Sequence, residues 1–169
     1  MKSWTTKIFL LSFVLAAIFS GLSSYIANFN VIILFVILFI VMGIGILFDM
    51  VGVAVLSCKE AAFHAKASKK IKGAKESISL IKDATKVSSM CNDVIGDICG
   101  IISGSLGVAI TAFLVSSFSL NLLFVTLLIT ALISAITVGG KSLCKGVATK
   151  KCEDIVFFVG KIKATLRLK

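Results

Sequence analysis

Residues 86–107 read KVSSMCNDVIGDICGIISGSLG, and this stretch decides the fold. Ile95, Ile98, Ile101, Ile102 and Leu106 make it apolar enough to lie in a bilayer, yet Asp93 and Asp97 sit in it one helical turn apart. At 3.6 residues per turn, Ser89, Asp93, Gly96, Gly100, Ser103 and Gly107 fall on one face, which Asp97 and Gly104 widen. The stripe is acidic at one end and small along its length, and small residues let another backbone come close. An intramembrane carboxylate costs about 2.5–3.5 kcal/mol on insertion scales. Two of them on a close-packing face call for a compensating partner, and a bound cation is the most economical one.

The composition agrees with a membrane setting. The chain has 169 residues, of which 58% are hydrophobic, and a mean hydropathy of +1.09; soluble domains lie nearer 45–50% apolar. This length holds about four spans of roughly 20 residues and little else. The apolar runs are 8–27, 31–58, 87–116 and 120–138. Lys2 and Lys7 give the first run the look of a signal peptide, but residues 25–27 make a poor small-x-small cleavage site, so a retained signal anchor is expected. The second run is long enough to tilt or project from the bilayer. Its last third carries Gly45, Asp49 and Gly52 on one face, repeating the carboxylate flanked by glycines.

The net charge of +10 is not spread evenly. The Lys and Arg residues lie before the first run, between Lys59 and Lys86, and from Lys141 onward. The turns around Asn28–Asn30 and Ser117–Asn121 carry no charge. This positive-inside pattern predicts a multi-pass protein of the cell (plasma) membrane with both termini cytoplasmic. The basic excess then meets anionic lipid headgroups, not nucleic acid. Residues 60–84 bear Phe63, Ala67, Ile71, Ala74, Ile78 and Ile81 at helical spacing. They predict a basic amphipathic segment, either one interfacial helix or a hairpin broken at Gly73 whose isoleucines pack on the bundle. Residues 152–168 place Ile155, Phe158, Val159, Ile162 and Leu166 on one stripe and predict a second amphipathic helix. Gly139–Gly140 is expected to end the fourth span. The five cysteines match no zinc spacing and are expected to be reduced fillers of helix interfaces.

The fold class expected is therefore all-α, with four membrane spans, a basic hairpin between the second and third, and a C-terminal amphipathic helix. No Lys, Arg or His lies within the second or third span. Unpaired carboxylates there would take up protons or bind a cation, and oxygen donors suit hard ions such as Mg²⁺ or Na⁺. The candidate ligands are Asp49, Asp93 and Asp97, helped by Ser89 and Asn92. Ser88 and backbone carbonyls freed near Gly96 are further oxygen donors. His64, beside Phe63 on a basic helix, reads as a headgroup or packing residue. An enzyme is not expected. Asp49 with Asp97 could form an aspartyl dyad, but no nucleophile–base pair or phosphate-binding glycine loop is present. The alternative is a non-transporting scaffold or accessory subunit whose glycine stripes bind a partner helix.

Six short motifs occur in order: Gly52-Val53-Ala54-Val55, Gly73-Ala74-Lys75, Leu80-Ile81-Lys82-Asp83, Ser88-Ser89, Ile95-Gly96-Asp97 and Ser103-Gly104. Through them, about a third of the chain resembles the membrane domain of the CNNM/CorC (CorB-like) magnesium transporters. The resemblance implies a homodimeric membrane domain that binds a dehydrated Mg²⁺ between spans, exchanged for Na⁺, with a juxtamembrane helix belting it. Where that family has Asn, this chain has Asp97. Ala84 stands where a proline often precedes the third span, and there is an extra first span. The family's cytoplasmic CBS-domain pair is absent from this sequence, so nucleotide regulation is not expected.

The topology is directly testable. In a background without the native cysteines, Asn28→Cys should react with an impermeant maleimide on intact cells and Lys70→Cys should not. The opposite pattern would overturn the span assignment.

Overall fold

The computed structural model describes residues 30–166, together with Thr6, Phe9, Leu10, Phe13, Val14, Ala17, Ile18 and Gly21, all helical. Apart from these positions, the expected first span at 8–27 lies outside the described residues, as do residues 167–169. The described residues form helices without a strand: α1 (Val31–Ser57), α2 (Ala61–Ser68), α3 (Ala74–Lys82), α4 (Ala84–Phe118), α5 (Leu122–Lys150) and α6 (Cys152–Leu166). Three of them, α1, α4 and α5, are long and apolar enough to cross a membrane. Their apolar surface is mostly turned outward. Only 11% of the most apolar window of α5 is buried, and Leu123, Phe124 and Leu127 stand open on it. A protein in water would not leave such a surface bare, whereas hydrocarbon covers it at no cost.

Local chemistry starts these helices where the sequence has its uncharged turns. Asn30 Oδ1 accepts the Ile32 amide at 3.2 Å, and Asn121 Oδ1 accepts the Leu123 amide at 3.0 Å. Each asparagine thus satisfies an orphan N–H at the start of a long helix. α5 does not stop at Gly139–Gly140 but runs on to Lys150. Glycine lowers helix propensity without forbidding a helix, and Gly140 has a packing reason to be there: a Cβ on it would meet the Ile46 side chain. The same logic holds at Gly107, whose added Cβ would lie 2.7 Å from Ile133.

The chain forms two compact units, with α1, α4 and α5 contributing residues to both. In the first, Leu34, Leu38 and Met42 of α1 interlock with Leu106 and Ile110 of α4 and with Val125 and Ile129 of α5. In the second, Ala54, Val55, Cys58, Phe63, Ala148 and Val156 form the core, with Ile78, Ile81 and Val87 packed against it. Ile78 and Ile81 therefore face protein, while Ile71 is exposed. None of the five cysteines forms a disulfide among the described residues.

Within the second unit α3 docks on α6 through small residues. Gly73 has φ +94°, a left-handed conformation that favours glycine. Gly160 is buried against the same turn: a Cβ there would stand 2.6 Å from the Gly73 carbonyl oxygen and 3.1 Å from the Ser77 amide nitrogen. The buried Ser77 hydroxyl bonds the Gly73 carbonyl at 2.8 Å and the Val156 carbonyl at 3.2 Å. Lys66 and Lys161 lie over the Phe157 ring, 4.8 and 4.6 Å from its centroid, each contact worth about 0.5–1 kcal/mol when exposed.

This docking predicts opposite effects for two glycines. Gly160→Ala should cost about 1–3 kcal/mol by overpacking, lowering Tm by several degrees. Gly146, whose added Cβ meets nothing within 4 Å, should tolerate alanine or gain up to about 1 kcal/mol. Thermal unfolding of both variants checks this, and equal shifts would remove the close approach as a constraint.

Candidate functional site

The site is built on the last third of α1 and the first third of α4. In α4 the segment Met90–Gly96 is π-helical. Its i→i+5 hydrogen bonds widen the turn, so residues after it no longer share the face that a uniform 3.6-residue wheel assigns them. The expected single stripe is split: Gly96, Ser103 and Gly107 are buried, whereas Asp93, Asp97, Gly100 and Gly104 are exposed; Ser88, next to the half-buried Ser89, is buried.

Asp49 is the one buried carboxylate among the described residues, 5% exposed. Its Oδ1 lies 3.8 Å from Lys141 Nζ, and its Oδ2 has no hydrogen-bond partner among the described residues. The counter-charge comes from neither the second nor the third span. It arrives on α5 because that helix continues through Gly139–Gly140. At 3.8 Å the pair is an ion contact without hydrogen-bond geometry, so the carboxylate remains under-coordinated.

Asn92 is the second under-coordinated group. Its Nδ2 donates to Ser88 Oγ at 3.3 Å, and its Oδ1 is buried with no partner. The amide packs directly on the α1 backbone at Gly52, where an added Cβ would stand 2.9 Å from Asn92 Cγ. Gly52 is one turn from Asp49 on α1. The glycine flanking the acid thus makes room for an oxygen-bearing side chain from α4, which a hydrophobic wheel cannot show.

The other candidates are arranged differently. Ser89 Oγ donates to Asp93 at 2.7 Å, so this carboxylate is met by its own helix. Asp97 is exposed at the first turn after the π segment. His64 is exposed, its Nε2 3.3 Å from Glu60. Among the described residues no group of three or more His, Cys, Asp or Glu is gathered closely enough to hold a metal ion. Ser88 and Lys141 are the site residues that sequence reasoning under-weighted. The signal for Lys141 was present, since it is the first charge after the fourth apolar run.

A scan against protein-family models, a search of curated proteins and a search of solved structures each returned no match.

The Gly52–Asn92 contact can be tested by a double-mutant cycle. Gly52→Ala alone should destabilise the chain by expelling Asn92. Adding Asn92→Ala should recover part of the loss, with a coupling of about 0.5–3 kcal/mol. Strict additivity in thermal or denaturant unfolding would mean that Asn92 does not rest on this glycine.

Proposed function

We propose that the chain is a multi-pass plasma-membrane protein that binds and moves a hard cation, Mg²⁺ first, through Asp49 and Asn92. The observation that carries this reading is a pair of buried oxygens in the second unit, Asp49 Oδ2 and Asn92 Oδ1, that have no hydrogen-bond partner among the described residues, where Ser103 Oγ of the first unit is the third such atom. A buried acceptor left unpaired costs about 1–3 kcal/mol, more when charged, and a cation would remove that cost at both atoms. Mg²⁺ keeps several of its waters and takes only one or two carboxylates, so one aspartate with amide and hydroxyl oxygens from Asn92 and Ser88 is a sufficient donor set. Asp93, with Ser89, and Asp97 would add negative potential along α4 and raise the local cation concentration. The resemblance to the CNNM/CorC family supports Mg²⁺ with Na⁺ as the exchanged ion, and it rests on the short motifs alone.

Lys141 gives the proposal a definite sign. Its ammonium occupies one side of the same carboxylate, so it competes with an incoming ion and holds Asp49 neutralised between binding events. Asp49→Asn should weaken Mg²⁺ binding by more than tenfold, the equivalent of about 1.4 kcal/mol. Lys141→Gln should strengthen it, and Asp83→Asn, which removes an exposed carboxylate paired to Lys86 at 3.0 Å, should leave it unchanged. Titration calorimetry and Mg²⁺-dependent thermal stabilisation read all three. Equal binding by Asp49→Asn and the parent would sink the cation site.

One observation favours a second reading, the scaffold or accessory subunit. Among the described residues a Cβ at Gly100 or Gly104 would meet nothing within 4 Å, so toward them these glycines keep a small, open face on α4 that suits a partner helix or a second copy in a homodimer. In that case Asp49 and Lys141 are interhelical glue, and neither the parent nor its variants respond to Mg²⁺.

A further inference from the structure

The stripe of α6 that the sequence assigns to the interface is not the face that docks on α3. Val156, Gly160 and Ala164 are the buried residues of this helix, four apart; the Val156 carbonyl accepts the Ser77 hydroxyl of α3, and Gly160 lies against Gly73 and Ser77. Ile155, Phe158, Val159 and Ile162 form a separate apolar stripe at i, i+3, i+4 and i+7. This second stripe lines a groove of about 700 Å³, together with Leu47 and Val51 of α1, Val87 of α4 and Val147 of α5. The volume is in the range of about 300–1,000 Å³ that ligand sites occupy. Lys151 and Asp154 border it, and its wall is nonpolar. Both are exposed, and neither has an ion-pair partner among the described residues.

We propose that this groove is a binding site for a zwitterionic aminophospholipid of the phosphatidylethanolamine type. One acyl chain lies along α6, the phosphate meets Lys151, and the headgroup ammonium meets Asp154. The choice of ligand follows from the mouth. A lipid tail gains nothing by leaving a bilayer for an equally apolar groove, so any preference must come from the headgroup. One cation and one anion, three residues apart on the turn that begins α6, complement a phosphate followed by an ammonium. Two cations would have suited an anionic lipid better. The phosphate–lysine contact is charge-assisted, as is the ammonium–carboxylate contact. Lys151 can reach the headgroup level while its stem stays on apolar surface. This inference rests on the membrane reading and is independent of the cation site.

The test uses the full chain with a reporter in the groove. Trp4 is the single tryptophan. Trp4→Phe with Phe158→Trp therefore places a lone fluorophore on the stripe, at a position exposed enough to accept it (Phe158 is 65% exposed). The protein is reconstituted in phosphatidylcholine vesicles carrying a minor fraction of acyl-brominated phosphatidylethanolamine, phosphatidylcholine or phosphatidylglycerol. Brominated phosphatidylethanolamine should quench at least about twofold more than the other two at equal fraction, a modest affinity difference. Asp154→Asn should abolish that preference, and Lys151→Gln should weaken quenching by the brominated phosphatidylethanolamine. Equal quenching by all three headgroups would show bulk lipid only and overturn the site. Absence of quenching by any would mean that protein, such as a second copy, fills the groove, and would overturn it as well. Val147→Trp, on the α5 wall, replaces the reporter if Phe158→Trp fails to fold. Failure of the parent chain to co-float with vesicles would refute the membrane reading itself, separately from the groove.

Discussion

A carboxylate removed from water at Asp49 is the constraint on which much of the second unit depends. Leaving it charged and alone would cost several kcal/mol after relaxation, so the fold must bring it a cation, a proton or both. At about 4 Å and an effective dielectric near 20, one ammonium returns roughly 4 kcal/mol, and Lys141 supplies it at 3.8 Å. That single contact explains the course of α5. A helix that ended with its apolar run at Val138 would leave Lys141 in a loop. Continued to Lys150, it holds Lys141 in register with Asp49. Gly140 lets α5 come close to α1 at Ile46, one residue before the lysine and three before the aspartate.

Glycine plays three distinct parts in this chain. Gly52 makes room for a polar side chain, because Asn92 rests where a Cβ would be. Gly107, Gly140 and Gly160 permit close helix approach. Gly73 supplies a left-handed turn, and its backbone then lies against Lys161, whose amide nitrogen would be 2.8 Å from an added Cβ. Gly43, Gly100, Gly104, Gly139 and Gly146 meet nothing. The sequence pattern cannot sort these roles, since a stripe of small residues looks the same whether it is filled from within the chain or left open for another one.

What could be read in the sequence, and what could not, follows from the physics of each signal. The long apolar runs and the uncharged turns between them were legible because hydropathy acts locally. The amphipathic stripe of α6 was legible for the same reason, but its docking face was not: Val156, Gly160 and Ala164 are unremarkable until Gly73 and Ser77 come to meet them. At the candidate site, Asp49 stood out as an acid in an apolar run and its glycine neighbours were noticed. The sorting of Asn92 from Asp93 was hidden. The two are adjacent in sequence, and within the π segment Asn92 rests on Gly52 while Asp93 stays exposed. A helical wheel presumes constant pitch, and here the pitch changes at the candidate residues. The pairing of Lys141 was hidden, although its place as the first charge after an apolar run was not, because its partner is 92 positions away and pairing at that separation leaves no periodic trace.

The same ion pair limits what the site can do chemically. A carboxylate already neutralised by a lysine binds a second cation only if the lysine can leave. Lys141 is suited to that. It is a quarter exposed, against 7% for the Asp49 side chain, and it is the first charged residue beyond an apolar run, where a long flexible stem can carry the ammonium outward to the headgroups. Arginine in its place would hold the carboxylate in a fixed fork and resist exchange. With lysine, the cost of uncovering Asp49 is offset by whatever cation arrives, while Asn92 Oδ1, one turn away across Gly52, waits with an unused lone pair. If the proposed exchange holds, the arrangement would have two neutral states, one with the internal ammonium and one with a bound ion, and in neither would a bare carboxylate have to sit in hydrocarbon. On the proposed exchange, the unpaired Oδ2 is the oxygen that an arriving ion would meet first, before the ammonium leaves Oδ1.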